Sequence, residues 1–371
     1  MELEVIMSVT ESAIKIENVT KTFGRFEAIS DVSLDIPKGS FTTLLGPSGC
    51  GKTTLMRLIA GFYEPDQGQI YIHGQQVNGT PVFKRNTPLV FQEYALFPHM
   101  TVYDNISYGL KLQNLSKQET KAKVDAMLDM FGLQGLQGRQ PKELSGGQQQ
   151  RVAFARALIT GQQILLMDEP LSNLDAKMRV EVRNELRELQ QRLGITAIFV
   201  THDQDEALAI SDTIAVFERG RIAQVGTPWD IYFKPQSPFV ADFVGTANFV
   251  EGEVAAIEGN DIVVRSGSSL FRVCPSAGHS WRSGDKVTLV IRPECLSIID
   301  EADIGGIRDN LWSGVIEKNS FLGRTIRYWV NGASLQWIVD DTSPSVRGYL
   351  RGEIHFTLDK HQIHVLPGAA R

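Results

Sequence analysis

The chain has 371 residues, 42% of them hydrophobic and 22% charged, a composition that excludes wholesale disorder and a length that implies two or three domains at about 100–200 residues each. Lys and Arg number 37 against 43 Asp and Glu, for a net charge of −6. That is the wrong sign for a protein that coats nucleic acid, so a polyanionic ligand needs a local source of positive charge.

No stretch approaches the roughly 20 apolar residues that span a bilayer. The short apolar runs Ile164–Met167 and Ile198–Val200 read as buried strands. The acidic start, Met1-Glu2-Leu3-Glu4, does not read as a secretory leader, and Met7 offers an alternative start. Cys50, Cys274 and Cys295 are too few and too scattered for a disulfide framework or a metal-site spacing. Reduced thiols in the cytoplasm are expected.

In chain order, Ile14, Ile16 and Val19 belong to a first β run, and Val32, Leu34 and Ile36 alternate with polar residues as a half-buried strand does. Phe41–Leu45 is a strand that leads into a glycine-rich turn. Thr53–Ala60 is helical in pattern, and Gly61 is placed to end it. A helical insert occupies about 94–150. In it Ser116-Lys117-Gln118-Glu119 is a capping box, with Val124, Met127, Leu128 and Phe131 at helical spacing behind it. Asp175 N-caps a long helix carrying Val182, Leu186, Leu189 and Leu193, Gly194 closes it, and a strand follows at Thr196–Val200. This alternation predicts an α/β domain with a mostly parallel sheet over 12–245. From 246 to 371 strand-like runs follow one another without long helices, at 252–258, 261–265, 269–274, 286–292, 313–318, 324–330 and 334–339. They predict an all-β domain of the sandwich or small-barrel type. Trp281, Trp312, Trp329 and Trp337 are expected in its core or at an interface.

Gly46-Pro47-Ser48-Gly49-Cys50-Gly51-Lys52-Thr53 fits G-x-x-x-x-G-K-[ST], between a predicted strand and a helix that continues with Thr54. Glycines let backbone N–H groups close around phosphates, and the helix N-terminus adds positive potential. Lys52 supplies a point charge for the β- and γ-phosphates, and the Thr53 hydroxyl suits Mg²⁺. Cys50 is a spacer whose N–H joins the phosphate cradle. The apolar strand Ile164-Leu165-Leu166-Met167 ends in Asp168-Glu169, and Pro170 stops it. At that strand end both carboxylates reach the mouth of a phosphate site, Asp168 toward Mg²⁺ and Glu169 toward an attacking water. Leu144-Ser145-Gly146-Gly147-Gln148 opens a further helix. It is a second phosphate-binding N-terminus, which two subunits arranged head to tail would bring to each ATP.

With this motif the chain resembles the ATP-binding-cassette (ABC) family. The resemblance covers the N-terminal domain and implies a P-loop NTPase fold with ATP and Mg²⁺ as ligands. It implies that Gln92 in Val90-Phe91-Gln92-Glu93-Tyr94 is the Q-loop glutamine, facing Mg²⁺ and water. Asp175 in Leu171-Ser172-Asn173-Leu174-Asp175 matches the D-loop, and His202 in Val200-Thr201-His202-Asp203 matches the switch histidine that contacts the γ-phosphate. Phe23 lies where the family places an aromatic under the adenine. Catalysis would fall to Glu169, His202 and Lys52, and the metal to Thr53, Gln92 and Asp168.

Gly245-Thr246-Ala247-Asn248-Phe249, Gly252-Glu253-Val254 and Ile291-Arg292-Pro293-Glu294 resemble the OB-like regulatory domain of importer ATPases. Leu45–Thr53 and Tyr94–Val102 are similar to the spermidine/putrescine and ferric-iron group. The resemblance implies a homodimer at the cytoplasmic face of the inner (plasma) membrane, two transmembrane permease subunits, an external solute-binding protein, and no nucleic acid. The apolar segment 93–102, with Tyr94, Leu96, Phe97 and Met100, is expected to dock the membrane subunit. The alternative is a soluble ABC ATPase of DNA repair or translation, although such proteins usually carry two cassettes or a coiled-coil insert. A third is a nucleotide-binding regulator.

Overall fold

The computed structural model describes residues 11–276, 279–306 and 309–368. The chain divides after Trp229 into two compact units.

In the first unit β1 (Ser12–Phe23), β2 (Phe26–Pro37), β3 (Phe41–Leu45), α1 (Lys52–Ala60), β4 (Gln67–Ile72), β5 (Gln75–Gln76) and β6 (Leu89–Val90) come first. The helical insert follows as α2 (Val102–Ser107), α3 (Lys117–Met130) and α4 (Gly146–Leu158). Then come β7 (Ile164–Asp168), α5 (Ala176–Leu193), β8 (Thr196–Thr201), α6 (Gln204–Ile210), β9 (Thr213–Glu218) and β10 (Arg221–Gly226). One antiparallel sheet has the order β2-β1-β4-β5, and a second has the order β10-β9-β3-β8-β7-β6. Within the second, β3, β6, β7, β8 and β9 run parallel and only β10 is antiparallel, as the alternation of elements predicts.

Strands β3, β7 and β8 are buried along their whole length, which is why they read as continuous apolar runs. Their side chains alternate between two cores. Leu44, Leu166, Ile198 and Val200 join α1 and the antiparallel sheet, whereas Phe41, Leu165, Met167 and Phe199 join α2 to α5. The parallel register sets Leu45 beside Thr201, and Asp168 beside Val200. The loops that carry chemistry therefore leave one edge of the sheet, at the strand C-termini where α/β folds bind ligands.

Local signals place the helix ends. The Ser116–Glu119 box forms in both directions, and so does one between Ser145 and Gln148. Asp175 accepts from the Met178 N–H at 3.0 Å, and Gly194 ends α5 in the left-handed region. Gly61 ends α1 at φ 87°, and its N–H returns to the Arg57 and Leu58 carbonyls. A Cβ at Gly61 would lie 2.5 Å from Arg85 Nε. The fully buried Arg85 guanidinium completes the cap, donating to Leu58 O at 2.7 Å and Ile59 O at 3.2 Å.

The second unit holds two five-stranded antiparallel sheets. In the first the order is Ser269–Val273, Asp261–Ser266, Asn248–Glu258, Lys286–Ile291, Ile363–Pro367. In the other it is Ser297–Ile299, Glu353–Thr357, Leu311–Phe321, Ile326–Gly332, Leu335–Asp341. Both close on one core in which Trp312 packs on Phe271 at 4.9 Å and on Trp337 at 5.2 Å. Trp281 packs at the margin of this core, and Trp329 is half-buried beneath Lys318.

The boundary expected at 245/246 falls instead at Trp229/Asp230. Arg292, 3% exposed, holds the segment before residue 246 to the β-rich unit. Its guanidinium donates to the carbonyls of Tyr232, Ala241, Gly245 and Thr246 at 2.8–3.1 Å and lies 4.2 Å over the Tyr232 ring. Helix Pro238–Val244 thus ends on a side chain of the second unit. Arg292→Leu should cost this unit about 3 kcal/mol, because several buried carbonyls lose their donor together. Four of the five tryptophans lie in the second unit, so a denaturant titration followed by tryptophan emission reads the shift in midpoint. An unchanged midpoint would show that the latch contributes nothing.

Candidate active site

Gly46 follows β3 where a Cβ would meet the Phe217 carbonyl at 2.6 Å. Gly49 and Gly51 take φ 78° and 110°, and a Cβ on Gly51 would lie 2.5 Å from the Ala28 carbonyl. Gly46 and Gly51 therefore admit only glycine without moving backbone, whereas Gly49 has room for a Cβ but holds a left-handed backbone that favours glycine. Pro47, Ser48 and Gly49 form the open side of the loop. Cys50 is 6% exposed, and burial pushes its thiol up. Its N–H, expected in the phosphate cradle, donates to the Pro47 carbonyl at 3.3 Å, and its own carbonyl accepts from Gly220 at 2.9 Å. Cys50 thus pins the loop from within.

Lys52 begins α1 and is 4% exposed. Its ammonium donates to the carbonyls of Gly46 at 2.7 Å and Pro47 at 2.9 Å, so the charge is held inside the loop that would surround a phosphate. Thr53 and Thr54 are half-buried on the first turn. The Thr53 hydroxyl donates to Asp168 Oδ1 at 2.8 Å, across from the end of β7. Asp168 is 8% exposed. Burial raises its carboxyl above the usual range, against the pull of Thr53 and Arg57.

Glu169 explains how adjacent acids both face the site. Its backbone leaves β7 in the left-handed region at φ 46°, a conformation that costs a non-glycine residue about 1–2 kcal/mol. Its N–H donates to Val200 O at 3.1 Å, and its carbonyl accepts from the Ser172 hydroxyl at 2.9 Å. The carboxylate Oε2 then lies 3.2 Å from Nδ1 of His202, which follows β8. Strain of this kind collects at functional sites because surrounding contacts over-determine it.

Gln92 follows β6 and is exposed, and its carbonyl accepts from Asn173 Nδ2 at 2.9 Å. Phe23 ends β1, 41% exposed, with its ring edge-to-face on Tyr63 at 5.1 Å and Lys21 Nζ 5.6 Å away. Hydrogen bonds and ion pairs thus link Lys52 to its loop, Thr53 to Asp168, Glu169 to His202, and Gln92 to the segment before Asp175. Ser145, Gly146, Gly147 and Gln148 stand outside this bonded set, on the capped N-terminus of α4. Gly147 has a packing reason beyond backbone approach, since a Cβ there would meet Met178 Sδ of α5 at 3.0 Å.

In segment 93–102 Tyr94 turns into the core at 5% exposure, so only its neighbours Leu96, Phe97 and Met100 remain partly exposed. Arg156 holds this turn by donating to the Tyr94 and Ala95 carbonyls at 3.0 and 2.8 Å. The sequence reading did not single out Ser172, Asn173 or Arg179. Their polar side chains following the paired acids were the available signal, but Asn173 and Arg179 find their partners Gln92 and Asp203 far away in sequence.

A family model described as ABC transporter matches residues 29–172. The chain is 48% identical to the Fe(3+) ions import ATP-binding protein of Brucella suis, over 86% of this chain and 88% of that protein. It is also 48% identical to the protein of the same description from Agrobacterium fabrum, over 88% and 89%. A spermidine/putrescine import ATP-binding protein of Acetivibrio thermocellus is 43% identical over 95% and 96%. Among solved structures, cbiO1 of Clostridium perfringens, part of an ABC transporter complex, superposes with TM-score 0.57 at 28% identity, covering 63% of this chain and 93% of that one. A dimeric ATP-binding cassette in a post-hydrolysis state with ADP and Pi gives 0.52 at 31% identity, covering 58% and 98%.

Proposed function

This chain belongs to the ABC transporter family, and on that premise we propose that it is the ATP-hydrolysing, energy-coupling subunit of an importer for ferric iron, a polyamine or a related small solute. The Glu169–His202 pair at 3.2 Å, standing beside the phosphate loop, is the observation that carries the catalytic reading. The loop N–H groups, the start of α1 and Lys52 bind the β- and γ-phosphates of ATP, and Phe23 stacks on the adenine. Glu169 takes the proton of the attacking water, and His202 holds that carboxylate in place while donating toward the γ-phosphate.

Thr53 Oγ1 and Asp168 Oδ1, 2.8 Å apart, offer hard oxygen donors with a single carboxylate. That set fits Mg²⁺, which keeps its remaining positions for phosphate oxygens and water, and Gln92 would complete it. Mg²⁺, when bound, neutralises charge on the β- and γ-phosphate oxygens.

The exposed N-terminus of α4 would serve the ATP of a second copy, with Asp175 at the same contact. The γ-phosphate would then join two subunits until hydrolysis removes it. Among the described residues no helix is long and apolar enough to cross a membrane; on the importer reading, two permease subunits and a solute-binding protein outside would complete the transporter. The chain would lie at the cytoplasmic face of the membrane, with Leu96, Phe97 and Met100 toward the permease. The β-rich unit would take part in dimer contact or regulation.

The test is capture of the tagged chain from its native membrane in mild detergent, with mass spectrometry of the partners. Two permease-like subunits are expected, and the associated binding protein would identify the solute. Soluble partners alone, in a fraction that still dimerises with ATP, would overturn the importer role in favour of a soluble ABC ATPase.

A further inference from the structure

Three consecutive residues after the paired acids each reach a different part of the site. Ser172 donates from Oγ and from its backbone N–H to the Glu169 carbonyl, at 2.9 and 3.3 Å. Asn173 donates to the Gln92 carbonyl at 2.9 Å. The Leu174 carbonyl accepts from Arg179 Nη2 at 3.2 Å. From the first turn of α5, Arg179 also directs Nη1 to Asp203 Oδ2 at 3.2 Å, and its Nε lies 3.6 Å from Glu206 Oε1. One planar head group therefore hydrogen-bonds a carbonyl and one carboxylate while lying within ion-pair distance of a second, which the fixed fork of a guanidinium permits and a single ammonium does not.

These contacts converge on the turn that carries His202. Asp203 follows it directly, caps α6 by accepting from the Glu206 N–H at 3.1 Å, and donates its own N–H to Thr201 Oγ1 at 3.0 Å. The Thr201 hydroxyl donates in turn to Glu206 Oε2 at 2.6 Å. Both chain neighbours of His202 are thus fixed, while His202 itself is exposed and pairs with Glu169. The join between α5 and α6 does not depend on Arg179 alone, because Arg183 Nη1 also donates to the Asp205 carbonyl at 3.0 Å.

We infer that Arg179 is a positioning residue for hydrolysis, locking the His202 turn to the Ser172–Leu174 segment so that the imidazole stays in register with Glu169. This rests on the hydrolytic reading of Glu169 and His202 given above. Loss of the lock leaves the phosphate loop and Phe23 intact, so nucleotide binding is retained and the chemical step slows.

The experiment is steady-state ATP hydrolysis by the full chain, with nucleotide affinity measured separately and the melting temperature recorded. Arg179→Ala should lower kcat about tenfold and leave the nucleotide Kd within about twofold. Arg179→Lys, which keeps the charge but not the fork, should recover part of the rate at the same affinity. Asp203→Asn keeps a helix cap but weakens the ion pair, and should lower kcat about threefold. It decides the matter if the alanine variant does not fold. An unchanged kcat in Asp203→Asn together with an unchanged or unmeasurable Arg179→Ala overturns the inference. So does a fall in kcat that only tracks the folded fraction, with Lys no better than Ala. If the unaltered chain does not hydrolyse ATP, the reading of the site itself fails, a result separate from any of these.

Discussion

Glu169→Gln should slow ATP hydrolysis by about 10²–10⁴-fold with ATP affinity nearly unchanged, the range associated with removing a positioned base. Gln has nearly the volume of Glu, so the left-handed turn at φ 46° and the Ser172 bonds to the residue 169 carbonyl remain. What disappears is the one carboxylate at 3.2 Å from His202. A loss of about 10³ is close to 4 kcal/mol of barrier, far more than a surface substitution removes. With the γ-phosphate retained, the variant should accumulate as a dimer with ATP. Single-turnover kinetics and size-exclusion chromatography check both parts. A variant that hydrolyses near the normal rate would remove Glu169 from the base role.

Lys52→Ala should abolish useful nucleotide binding, with at least about a hundredfold loss of affinity, or about 2.7 kcal/mol. Two effects add. The loop loses the positive charge opposite the β- and γ-phosphates, and the Gly46 and Pro47 carbonyls, bonded to the ammonium at 2.7 and 2.9 Å, lose their donor. Truncating a buried hydrogen-bonded charge generally costs several kcal/mol for the same reason. Titration with a fluorescent ATP analogue measures it, and affinity within threefold of the unaltered chain would contradict the cradle as described. The two variants separate binding from chemistry, because one leaves ATP bound and unreacted while the other leaves it free.

What was legible in the sequence is what local chemistry determines. The Ser116 box, the Asp175 cap, and the glycines that end α1 and α5 act within a few residues. The parallel sheet followed from apolar runs alternating with helical spacing. Tertiary contacts were beyond its reach. Tyr94 looks like an interface aromatic by type but is buried by the turn that Arg156 holds. Asn173 and Arg179 are ordinary polar residues until folding brings Gln92 and Asp203 to them. The contact of the Cys50 carbonyl with Gly220, which pins the phosphate loop, also joins residues far apart in the chain. The unit boundary was misplaced because strand patterning changes near 246, whereas the decisive contact is made by Arg292 to residues that precede it.

The Arg292 latch also determines where relatives can be recombined. A chimera joined at 246 would leave the arginine facing foreign carbonyls and strip helix Pro238–Val244 from the side chain that completes it. A junction at 229/230 would move the latch and its four carbonyl partners together, so the β-rich part can be exchanged with its latch intact only when residues 230–246 travel with it.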